Sequence, residues 1–114
     1  MTTEVNKGVT AILPFKVRNA TGTLANATSL PTIKRIMVNG TLTVVAGALI
    51  EHQQDATPAN ITGRYQVKVP TADLASGVQV QVQIEAVIDG VTLDGDIEFG
   101  VVNTTENRPR IETI

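Results

Sequence analysis

Along residues 78–88, Val78, Val80, Val82, Ile84, Ala86 and Ile88 alternate with Gln79, Gln81, Gln83 and Glu85. Successive side chains of a strand point to opposite faces, so a period of two means one buried face and one wet face. On a helix the same spacing would scatter the apolar residues over every side. A strand this long needs hydrogen-bonding partners and a second layer to cover its apolar face. The composition says the same. The chain has 15 Val, 10 Ile and 16 Thr against 7 Leu and 4 Lys. Side chains branched at Cβ are stiff at χ1 and suit a pleated, half-buried surface. A helix bundle, a coiled coil and a disordered chain are thereby excluded, and at 114 residues one domain is expected.

Other strands follow from the same pattern. Residues 9–18 place Val9, Ala11, Leu13, Phe15 and Val17 on one side, with Pro14 among them. Proline cannot donate to a ladder, so this is an edge strand or one that changes partner at a bulge. Residues 33–38 read as a strand, and Asn39-Gly40 as a type I′ hairpin turn. The return strand, residues 41–46, carries Leu42, Val44 and Ala46 on one face, and residues 48–53 form a weaker strand. A loop over 54–63 leads to a strand over 64–69, with Tyr65, Val67 and Val69 inward. Residues 71–77 are expected to make one helical turn, capped by Thr71 and ended by Gly77. Asp89-Gly90 closes a second I′ hairpin, residues 91–102 return, and Asp94-Gly95 marks a bulge. The expectation is an all-β antiparallel sandwich of about seven strands over residues 9–102. Residues 1–8 form an N-terminal arm and residues 103–114 an extended C-terminal arm.

The absence of Cys removes disulfides, a thiol nucleophile and a zinc knuckle. A net charge of −2 argues against nucleic acid, which needs clustered Lys and Arg. The charge is uneven: residues 1–70 sum to +4 and residues 71–114 to −6. Strands that interleave in space would average this out. Residues 1–8 are polar and no run approaches membrane-spanning length, so a reducing compartment and no membrane partner are expected.

Few residues offer chemistry. His52 stands alone between Glu51 and Gln53, and nucleophilic catalysis needs a nucleophile, a base and an orienting group, so it reads as a polar strand residue and no enzyme is expected. Asp89, Asp94 and Asp96, with Glu98, crowd one hairpin and are a weak candidate for a hard cation such as Ca²⁺. The spacing does not fit an EF-hand, and a solvated acidic tip is the ordinary reading, so no metal or cofactor is expected. Asn19, Asn26, Asn39, Asn60 and Asn103 each begin an Asn-x-Thr triplet, which turn chemistry explains without glycans. Phe15, Tyr65 and Phe99 belong in the core and there is no Trp, which leaves no exposed ring for sugar stacking. Two features point outward. Gln79, Gln81 and Gln83 offer an uncharged polar face suited to a subunit contact or to water. Arg108, Arg110, Ile111 and Ile114 stud the polar C-terminal segment and could anchor it on a neighbour.

The order LPFKVRNATGTL, PTIKRIMVNGT, TGRYQVKVP, VQVQVQIEAVIDG and a final strand resembles the immunoglobulin-like sandwich modules of tailed-bacteriophage virions. These include capsid decoration (cement), fibre and baseplate domains. The resemblance covers residues 9–102 in pattern and lacks the Cys…Trp…Cys signature of antibody domains. It implies a non-enzymatic, multi-copy structural protein of the virion, assembled in the host bacterial cytoplasm. The partners would be the major capsid protein or other virion proteins, with self-association. A decoration protein docking across capsomers leads. A fibre or baseplate module, and a bacterial adhesin or carbohydrate-binding sandwich, are the alternatives.

Overall fold

A computed structural model describes residues 3–102 as eight strands in two sheets. In chain order they are β1 (Thr3–Asn6), β2 (Ala11–Lys16), β3 (Thr32–Val38), β4 (Thr41–Leu42), β5 (Leu49–Gln54), β6 (Asn60–Val69), β7 (Gln79–Ile88) and β8 (Val91–Val102). The larger sheet runs β1-β8-β7-β3-β4 and the smaller β2-β6-β5. No helix occurs among the described residues.

The alternating pattern builds the core. From the larger sheet come Ile36, Val80, Val82, Ile84, Ala86, Ile88, Phe99 and Val101; from the smaller come Ala11, Leu13, Ile50, Tyr65, Val67 and Val69. Each Val, Leu, Ile or Phe among them contributes about 1.5–3 kcal/mol on burial. Phe15 stacks on Tyr65 with ring centroids 5.5 Å apart. The Tyr65 hydroxyl accepts the Ala27 N–H at 3.0 Å, which ties the β2–β3 connection to the core. Pro14 lies on β2, an edge of the smaller sheet, as its missing N–H requires.

Both hairpin turns form as expected: Asn39 and Gly40 have φ of 48° and 81°, Asp89 and Gly90 of 51° and 77°. Several details differ from the sequence reading. Thr3–Asn6, within the segment read as an arm, is β1 and pairs in parallel with the end of β8. The return strand after Asn39-Gly40 lasts only Thr41–Leu42, because the chain turns at Val45–Ala48 through Gly47 (φ 83°) to reach the other sheet. Val44 is therefore 95% exposed, and Val9, outside β2, is 54% exposed. β6 starts at Asn60, since Asp55 folds the preceding loop tightly by accepting the N–H groups of Thr57 and Ala59. Residues 71–77 make turns rather than a helical turn. The Thr71 hydroxyl does not cap; it is buried, accepts the Gly8 N–H and donates to the Val9 carbonyl at 2.6 Å. Asp94-Gly95 makes no bulge, because β7 and β8 pair in unbroken register from Ile88↔Val91 to Gln79↔Gly100. The register shifts instead between Ile33 and Arg35 in β3 and between His52 and Gln54 in β5.

Gly63 is the tightest point of the backbone. It sits in β6 with φ 71°, and its amide groups are shared with a crossing segment: Val17 N–H donates to Gly63 O at 2.8 Å and Gly63 N–H to Asn26 Oδ1 at 2.8 Å. A Cβ there would lie 2.8 Å from Ala25 N and 2.9 Å from Val17 O.

Candidate functional site

The two sheets present unlike outer faces. On the smaller, cross-strand rows set Ile12, Lys68 and Leu49 together, then Pro14, Gln66 and Glu51, then Lys16 and Arg64. Three cations meet one carboxylate there. Lys68 Nζ stands 2.7 Å from Glu51 Oε1 and Gln66 Nε2 donates to the same oxygen at 2.6 Å. Lys68 first and Gln66 second hold the Glu51 carboxyl below its usual range. On the larger sheet the rows are Asp94, Glu85 and Thr32; Asp96, Gln83 and Arg35; and Glu98, Gln81 and Met37. Glu4 adds a carboxylate beside Gly100, and Lys34 reaches Glu85 and Asp94 at 3.7 Å. The chain's uneven charge thus partly survives folding, because β2, β5 and β6 all come from the cationic first part of the sequence.

Gln79, Gln81 and Gln83 lie on this face as a column: Gln81 has Met37 on one side and the charged Glu98 on the other, and Gln83 lies between the charged Arg35 and Asp96. Gln79 instead covers Gly100, its Oε1 about 3.1 Å from where a Cβ would stand. A contact centred on the amides would take in these charges too. The acidic hairpin does not close on a point. Asp89 is in the turn, Asp94 faces Lys34, and among the described residues no three His, Cys, Asp or Glu side chains gather as a metal site would need. His52 faces inward on β5, half-buried, its ring 4.7 Å from that of Tyr65 and its Nδ1 buried without a hydrogen-bond partner. It edges a wide depression of about 710 Å³ that also takes in Gln53, Gln54, Asn60, Arg64 and Gln66. Of the Asn-x-Thr residues, Asn19, Asn26, Asn39 and Asn60 all use Oδ1 to accept a hydrogen bond within the fold. Arg108, Arg110, Ile111 and Ile114 lie outside the described residues.

The feature that the sequence reading missed is the open flank of β8. β1 pairs only with Phe99, Gly100, Val101 and Val102, so residues 91–98 have β7 on one side and, among the described residues, no strand on the other. Val101 N–H donates to Val78 O across to the β7 side. By the alternation of an antiparallel pair, the N–H and C=O of Thr92, Asp94, Asp96 and Glu98 point to the open side. The inward residues of this stretch are poorly covered: Val91 is 57% and Leu93 37% exposed. Between them and the smaller sheet runs a cleft of about 360 Å³, with Phe15, Val17, Ile84, Ala86, Leu93 and Ile97 on its walls. Lys16, Arg18, Asp94, Gly95 and Asp96 complete its lining. The sequence shows Val91, Leu93 and Ile97 alternating with Thr92, Asp94 and Asp96. It holds no sign that β1 stops short.

An all-β chain with two sheets on one core, and with a strand edge that is unpaired among the described residues and lies beside an apolar cleft, is the class this structure defines. Compared with family models, with curated proteins and with solved structures, the chain matches none.

Proposed function

We propose that this chain is a non-enzymatic structural module that works through its exterior, and specifically an immunoglobulin-like capsid decoration protein that binds the major capsid protein across neighbouring capsomers of a bacteriophage head. The observation that supports this reading is the distribution of exposed large apolar side chains. Ile12 and Leu49 lie on the outer face of the smaller sheet, Leu42 and Val44 beside the β3–β4 hairpin, Val9 before β2, and Val91 and Leu93 on the β8 flank. Apolar contacts on several sides suit a brick that touches several neighbours at once, each weakly, with symmetry supplying avidity. The resemblance in strand order supplies the phage context. The test is to add the purified chain to expanded phage shells and measure both co-sedimentation and the melting temperature of the shell. Saturable addition with a raised melting temperature is expected; no addition to any shell or other virion protein overturns the reading.

A second reading, a glycan-binding adhesin sandwich, draws on the depression beside His52. Gln53, Gln54, Asn60 and Gln66 supply amides, and Glu51 and Arg64 supply charge, which are groups that hydrogen-bond sugar hydroxyls. Binding to immobilised cell-surface glycans that falls on Gln54→Ala and Asn60→Ala would favour it over the first.

A further inference from the structure

We propose that the open edge of β8 receives residues 108–111 of a second copy of this chain, added as a strand. This rests on the reading of the protein as a multi-copy assembly module and names the surface through which copies join.

Three features of the edge select this occupant. Its free backbone groups belong to Asp94, Asp96 and Glu98, whose side chains make the outward face acidic. Two β8 edges pairing with each other would set these carboxylates against their like, so the edge calls for a cationic strand. Its inward face, over Leu93, Gly95 and Ile97, is apolar and has room, since nothing lies within 4 Å of a Cβ placed on Gly95.

The sequence Arg108-Pro109-Arg110-Ile111 fits both sides of that edge. In an extended segment Arg108 and Arg110 share one face, and Pro109 and Ile111 the other. Set antiparallel with Arg108 opposite Glu98, the register puts Arg110 opposite Asp96, Pro109 opposite Ile97 and Ile111 over Gly95. The arginines then meet carboxylates, and Ile111 fills the space that Gly95 leaves between Leu93 and Ile97. The same parity sends the backbone groups of Arg108 and Arg110 toward β8 and those of Pro109 away from it. Proline thus costs no ladder bond, and it leaves the new outer edge unable to template another strand. Glu112 falls beside Asp94, whose charge Lys34 partly offsets at 3.7 Å.

The donor is a second copy because β1 stands between the chain's own C-terminal segment and the open edge. Opposite Phe99, Gly100, Val101 and Val102 the edge is filled by β1, and Lys7 N–H donates to Val102 O at 2.8 Å. An arm returning from Val102 would have to cross over β1 to lie beside Glu98, and connections do not cross in this way on one edge of a sheet.

The test uses the full chain and two variants. R108E/R110E spoils the donor and leaves the edge intact; D96K/E98K spoils the edge and leaves the donor intact. Sedimentation velocity is expected to show wild-type self-association that weakens as salt rises. Each variant alone should associate at least about tenfold more weakly, because like charges now oppose each other. An equimolar mixture of the two should form a 1:1 complex, since one intact arm still meets one intact edge. A monomeric wild type, association untouched by either variant, or a mixture that stays monomeric overturns the inference. Shell binding separates this from the function: a chain that exchanges arms but never adds to shells removes the cement reading alone, and a monomer that adds to shells removes the arm exchange alone.

Discussion

The smaller sheet and the far half of the β7–β8 hairpin are built from the same kind of sequence, apolar residues two apart, yet they end in opposite states. In β6, Tyr65, Val67 and Val69 are wholly buried and β2 and β5 flank the strand on both sides. In β8, Val91 and Leu93 stand half out in water on an edge that β1 does not reach. The difference lies in what each strand is given to lean on rather than in its own residues. β6 is locked by a crossing segment at Gly63 and by Tyr65 holding Ala27. Among the described residues the β8 flank has no such clasp. Closed regions of this kind carry stability, and open ones are where a partner adds area.

That contrast predicts its largest effect at Gly63. Gly63→Ala would set a Cβ against two backbone atoms under 3 Å away, at a φ that L side chains rarely adopt. Neither neighbour can yield without breaking the Val17–Gly63 or Gly63–Asn26 bond. We expect a loss of at least about 3 kcal/mol, or no folded protein, measured by urea denaturation. A variant near wild-type stability would mean that the crossing is not the lock of the smaller sheet.

The next effect compares one hairpin with itself. Val82 on β7 is fully buried between the sheets, whereas Leu93 on β8 is 37% exposed. Val82→Ala should cost about 2 kcal/mol, from lost transfer energy and the cavity left behind. Leu93→Ala removes a larger side chain yet should cost below about 1 kcal/mol in the free chain, because water already covers much of it. Equal losses would show that the β8 flank is packed as tightly as the centre of the sheet and offers no room for an added strand.

What could be read from the sequence was the part governed by neighbours along the chain. Both I′ turns, the long β7 and β8 strands and the inward set of Tyr65, Val67 and Val69 follow from period and turn chemistry. Pro14 announced an edge because a missing donor is a local fact. What escaped was decided by contacts far apart in sequence. β1 is four mostly polar residues whose strand state comes from pairing with β8, some ninety residues later. Thr71 looked like a helix cap, and its hydroxyl is instead taken by Gly8 and Val9. The Gln79, Gln81 and Gln83 column was visible as a polar face. That Glu98, Asp96 and Arg35 flank it depends on register, which no single strand reveals. The open flank of β8 escaped for the same reason: it is defined by where another strand stops.

The smallest effect is the response of the smaller sheet to pH. Two carboxyls attached to the smaller sheet are held below their ordinary values. Glu51 is held by Lys68 and Gln66, and Asp55 by the Thr57 hydroxyl and the Thr57 and Ala59 N–H groups. A carboxyl whose folded value is depressed adds stability that is fully present above its unfolded value. Here those values are about 4.5 for Glu51 and 3.8 for Asp55, and the contribution fades as pH falls below them through the lower folded values. Denaturation midpoints should therefore hold level from neutral pH to about 5 and then drop. Glu51→Gln should flatten part of that drop, with little change at neutral pH because the pair is open to solvent and screened. Asp55→Asn should flatten the remainder of that drop. If the drop survives both replacements undiminished, the assignment to the smaller sheet is wrong.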